Sequence, residues 1–148
     1  LMEDRDVGEL AMEYYLKGLG CAESLLHAFN DLKIIEVPEA LIKASTGFGT
    51  GFGGKGSTCG AVTGPIMAVG LKYGRLRPEE GAEKAYKRAK MVVEAYEQKF
   101  KTTQCAEVTK VWREKGQFAT PERRKFCGSI VRYMARETEK ILREAAGS

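Results

Sequence analysis

Apolar residues recur along this chain at three- and four-residue intervals, in segments closed by glycine or proline, and no stretch alternates apolar with polar between turn residues. That periodicity predicts an all-α protein: a single-domain helical bundle of about six helices over residues 1–148, with one glycine-rich loop before its central helix. Leu10, Met12, Tyr14, Tyr15 and Leu16 mark a first helix that stops near Gly18 and Gly20. A second starts at Cys21 and carries Leu25, Leu26, Ala28 and Phe29. Pro38 opens a short one that ends at Gly47. Cys59 to Tyr73, charged only at Lys72, reads as the buried central helix. Pro78-Glu79-Glu80 opens a long amphipathic helix through Phe100, with acidic residues where the helix dipole favours them. Thr102 or Thr103 caps a helix that carries Cys105, Val108, Val111 and Trp112, with Cys105, Val108 and Trp112 on its apolar stripe. Thr120-Pro121-Glu122 opens the last, striped by Cys127, Ile130, Val131, Met134, Ile141 and Leu142.

A chain of 148 residues encloses a hydrophobic core without disulfides or a metal, so its four cysteines need another explanation. No apolar run approaches the roughly 20 residues of a membrane span, so membrane insertion is not expected. The charged start Glu3-Asp4-Arg5-Asp6 is unlike a secretory signal, and a cytoplasmic protein is the expectation. Residues 1–74 hold 6 Lys/Arg against 9 Asp/Glu, and residues 75–148 hold 18 against 11. The basic half nevertheless pairs its charges at helical spacing, as in Glu80 with Lys84, Glu83 with Lys87 and Glu139 with Arg143. That pattern describes a solvated helix surface and argues against nucleic-acid binding. One asparagine and three glutamines in a chain with 30% charged residues weigh towards a thermophilic source, where intracellular disulfides are more common.

Cys21, Cys59, Cys105 and Cys127 each fall in the first turn or two of an expected helix, and each on its apolar stripe. Free N–H groups and the positive end of the helix dipole stabilise a thiolate there. Cations stand close in sequence too: Lys55 before Cys59, Lys99 and Lys101 before Cys105, and Arg123, Arg124 and Lys125 before Cys127. All four thiols are therefore expected to point inward, as catalytic groups or metal ligands rather than as small core hydrophobes. Spacings of 38, 46 and 22 residues contain no C-x-x-C pair, and so neither a thioredoxin-like motif nor a zinc ribbon. The spacing leaves the pairing open. The single histidine, His27, is expected as a partly exposed surface residue rather than a ligand.

The segment Gly47 to Gly60 resembles a phosphate loop only superficially. Aligned on Gly49, Gly54 and Lys55, it places Gly56 where that motif requires Ser or Thr, and no strand precedes it. Two roles remain for Gly53, Gly54, Lys55, Gly56 and Gly60: bare backbone for close packing, or an edge on which a cofactor rests at a helix start.

Cys59-Gly60-Ala61-Val62-Thr63-Gly64 matches C-G-A-x-x-G, and with Gly20-Cys21-Ala22 before it and Cys105 and Cys127 after it the chain resembles the redox-active family named C_GCAxxG_C_C. The resemblance covers most of the chain and implies redox activity. The family in part resembles the split-Soret type of cytochrome c, but this chain has no C-x-x-C-H site, so covalent haem is not expected.

Three readings follow. In the first, Cys59 is a reactive thiolate resolved by another cysteine, in exchange with a redox partner protein or a small redox molecule. In the second, the four thiolates hold an iron–sulfur cluster or a zinc ion. In the third, two static disulfides brace a helical scaffold. The number of apolar helices also permits a homodimer.

Overall fold

The computed structural model describes residues 1–144. Helices α1 (Val7–Leu16), α2 (Cys21–Asp31), α3 (Glu39–Ala44), α4 (Gly49–Phe52), α5 (Gly60–Tyr73), α6 (Glu83–Phe100), α7 (Cys105–Val108), α8 (Lys110–Glu114) and α9 (Pro121–Leu142) make an all-α fold. Among the described residues no strand forms, and the only ladder-like contact is one antiparallel bridge between Thr58 and Gln104. The core is one continuous cluster. Leu25, Leu26 and Phe29 of α2, Val62 and Val69 of α5, Val92 and Tyr96 of α6, and Val131 and Met134 of α9 are sealed from water. Each such aliphatic or aromatic side chain contributes about 1.5–3 kcal/mol of burial.

The 22-residue α9, about 33 Å long, is the spine against which α1, α2, α5 and α6 pack. Asp6 caps α1 by accepting the Glu9 N–H at 2.9 Å, and it also receives the Arg136 guanidinium through two nitrogens, which ties the start of α1 to α9. Inside, α5 crosses α2 at close range. A side-chain carbon on Gly64 would lie 2.9 Å from the Ala22 Cα, and one on Gly60 would lie 2.9 Å from the Ala22 N and 3.0 Å from the Cys21 Cβ. Only hydrogen at both positions lets the helix axes approach this far. The glycines of the hexapeptide are thus a packing device that sets Cys21 beside Cys59.

Two expected helices are interrupted. The one expected from Pro78 is a separate 3₁₀ turn, Pro78–Glu80, and α6 begins only at Glu83, because Gly81 turns the backbone left-handed (φ 74°) between them. The Cys105 helix is broken at Thr109 into α7 and α8, and Val111, off the stripe of Cys105, Val108 and Trp112, faces solvent at 58% exposure. Leu16 likewise sits on the outer face of α1. Lys101 (φ 76°) ends α6 and turns the chain back, so that residues 102–120 lie as a strap beside the glycine segment. That strap is held by backbone hydrogen bonds: Cys59 N–H to the Thr103 carbonyl at 2.8 Å, Cys105 N–H to Ser57 at 2.7 Å and Ala106 N–H to Gly56 at 2.9 Å.

Candidate redox site

Cys59 is the N-cap of α5. Its sulfur accepts the Ala61 N–H at 3.4 Å, an unusual use of cysteine where oxygen side chains normally serve. Cys21 is the first residue of α2, Cys105 the first of α7, and Cys127 the seventh of α9. Cys127 is therefore past the turn in which a helix dipole acts, and the dipole argument does not extend to it. All four are buried, none is in a disulfide, and all four line one partly enclosed cavity of about 140 Å³. The α1–α2 turn, the glycine segment, the start of α5, Tyr96 of α6, the strap and the first turns of α9 form its walls.

The four thiols differ in acidity. Cys59 is lowered to about 7, mainly by the Cys21 thiol, which hydrogen-bonds to its anion; burial opposes this, and the Tyr96 hydroxyl and the Ala61 N–H add to the lowering. Cys21 is pushed well up because its proton is held against Cys59 and because it is fully buried. The two behave as one dithiol, with a ready nucleophile and a protonated neighbour. Burial also pushes Cys105 and Cys127 up, in each case against an opposing guanidinium, Arg113 for Cys105 and Arg123 for Cys127. Arg113 reaches the Cys105 sulfur at 3.8 Å.

Those two arginines are positioned by an aromatic ring. Phe118 lies between them, with the Arg113 guanidinium 4.3 Å and the Arg123 guanidinium 4.1 Å from its centre. Arg123 also donates to the Phe118 carbonyl and, at 2.9 Å, to the Tyr15 hydroxyl. Arg113 is fixed by Thr109 at 2.8 Å.

Of the cations that sequence proximity singled out, Arg123 stands at Cys127 and Arg124 lines the cavity, but the lysines are elsewhere. Lys55, Lys99 and Lys101 are exposed, and none contributes to the acidity of a cysteine. Of the glycine-segment candidates, Gly60 lines the cavity, whereas Gly53, Gly54 and Lys55 face solvent and Gly56 packs against Ala106. The segment meets the cavity instead through Thr50 and Gly51, both in left-handed backbone at φ 49° and 66°. His27 is half-buried, stacks on Tyr14 with ring centres 4.8 Å apart, and is not part of the site.

Sequence reasoning missed Tyr96, Arg113 and Phe118. Arg123 alone was visible, four residues before Cys127 on the same helix face. Among the described residues, no three His, Cys, Asp or Glu side chains converge closely enough to ligate one ion.

Comparison with curated proteins and with solved structures gives no match. A family model described as "Putative redox-active protein (C_GCAxxG_C_C)" matches residues 19–141, a span that takes in all four cysteines and the Gly60–Gly64 crossing. The chain belongs to this redox-active C_GCAxxG_C_C family.

Proposed function

We propose that this protein is a thiol–disulfide redox protein whose working pair is Cys59 and Cys21. One observation carries the reading: a thiol lowered to about 7 at a helix N-cap, with a protonated thiol held against it inside a lined cavity. The Cys59 thiolate attacks one sulfur of an oxidised substrate disulfide, forming a mixed disulfide and expelling the other sulfur as a thiolate, which takes a proton from water. Cys21 then attacks Cys59 Sγ, the bond from Cys59 to the substrate breaks, and the Cys21 proton passes to the departing sulfur. The substrate leaves as two thiols, and the protein holds a Cys21–Cys59 disulfide. A reducing compartment, the cytoplasm expected from the sequence, suits such a cycle because it returns the pair to the dithiol.

The four-cysteine metal reading has weaker support, because the donors do not gather about one centre. A static brace is disfavoured by the acidity split within the pair, which a permanent disulfide would not use.

The test is peptide mapping after limited oxidation of reduced protein with a small disulfide. The expected product is a Cys21–Cys59 disulfide, whereas Cys21→Ser, which lacks the resolving thiol, should stop at a mixed disulfide on Cys59. If the adduct forms first on Cys105 or Cys127 while Cys59 stays a free thiol, the assignment is wrong.

A further inference from the structure

The cavity beside the pair has a charge that the pair does not account for. Arg123 and Arg124 line it, no Asp or Glu does, and neither arginine has a carboxylate partner among the described residues. Arg123 is only 8% exposed. A guanidinium removed from water this far is costly unless something anionic answers it. Its hydrogen bonds, to the Phe118 carbonyl, the Tyr15 hydroxyl and the Cys127 sulfur, involve no carboxylate. Cys127, the remaining neighbour, is held towards the neutral thiol by burial. Tyr96, wholly shut from bulk solvent, lines the same cavity, and its hydroxyl is directed to the Cys59 sulfur, whose acidity it raises. A buried cation with no acid opposite it therefore borders the same space as the Cys59 sulfur.

We propose that this space receives the anionic group of the molecule that Cys59 attacks, a carboxylate or small oxyanion, gripped by Arg123. This rests on the thiol-exchange reading above and narrows it: the substrate is a small acidic disulfide or thiosulfonate with its charge close to the reacting sulfur. The space of about 140 Å³ is roomy enough for an acid group and the sulfur it carries.

Two alkylating agents that differ only in charge provide the test. Anionic iodoacetate and neutral iodoacetamide are applied to reduced protein, and the rates at Cys59 are read by peptide mass spectrometry. The iodoacetate-to-iodoacetamide ratio is then compared with that of an unstructured cysteine peptide, so that exposure and thiol acidity cancel. A ratio about tenfold above the peptide's is expected for a full charge a few ångströms away at the effective dielectric of a partly buried site. Arg123→Gln should return the ratio to that of the peptide, whereas Tyr96→Phe, which changes the acidity of Cys59 alone, should slow both reagents and leave the ratio unchanged. In the unmodified protein, sulfate or acetate should slow iodoacetamide labelling of Cys59 more than chloride does at equal ionic strength. Protection by sulfate assigns the site to oxyanions, and protection by acetate assigns it to carboxylates. Rapid iodoacetamide labelling with a ratio no higher than the peptide's, and no anion protection, would overturn the anion site and leave the dithiol intact. Failure of both reagents to label Cys59 in the folded protein would overturn the nucleophile and the anion site together.

Discussion

Cys59 owes its acidity to a second thiol rather than to a cation, which makes Cys21 its tuning residue as well as its resolving partner. Cys21→Ala removes the hydrogen bond to the thiolate, so the midpoint of Cys59 alkylation against pH should rise from about 7 towards the ordinary thiol range, near about 8.5. The sign follows from the species stabilised: losing a donor to the anion favours the neutral thiol. Labelling at pH 7 should slow by about fivefold or more, while Cys21→Ser, which keeps a donor, should hold the midpoint near its original value. An unchanged profile in Cys21→Ala would assign the acidity to the helix start instead. At this scale the sequence was informative about what lies on the cysteine's own helix and silent about what reaches it from another. The N-cap position of Cys59 and the placing of Arg123 one turn before Cys127 could be read from spacing. Tyr96, 37 residues from Cys59, could not, and the nearby lysines misled because flexible, strongly hydrated side chains remain in water.

The α2–α5 crossing is the element on which the site depends, since it converts a sequence separation of 38 residues into contact between two thiols. Gly64→Ala would press a methyl group into the Ala22 backbone, which cannot rotate away as a side-chain end would. We expect it to cost about 1–3 kcal/mol by denaturant unfolding, and to slow Cys21–Cys59 disulfide formation because the helices separate. Gly70→Ala, in the same helix with open space around it, is the matched control and should leave both measurements nearly unchanged. Equal effects from the two substitutions would remove the crossing from the argument. The main helices were legible because their apolar stripes are long. The breaks were not: Gly81 and Thr109 interrupt patterns whose periodicity continues across them, and the direction the chain takes after Lys101 depends on one left-handed residue that carries no compositional mark.

For the whole molecule, oxidation changes the size of the unfolded ensemble. A Cys21–Cys59 bond would close a loop of 38 residues and stabilise the fold by about 4 kcal/mol through the entropy of the unfolded chain. For a protein of this size that corresponds to a melting temperature roughly 8–16 °C higher. Calorimetry on oxidised and reduced protein should show the rise, and Cys59→Ser should abolish it. Coincident melting curves for protein shown by mapping to hold that bond would mean that strain in the oxidised fold cancels the gain. The strap adds a constraint of another kind. Its backbone hydrogen bonds join Ser57 and Cys59 to Thr103 and Cys105, so one wall of the cavity opens only when several of them break together. Small molecules need no such opening. A folded partner would, so the strap would act as a molecular sieve that grades visitors by bulk before any chemistry begins, and amide exchange at Cys59, Cys105 and Ala106 measures how often that wall opens.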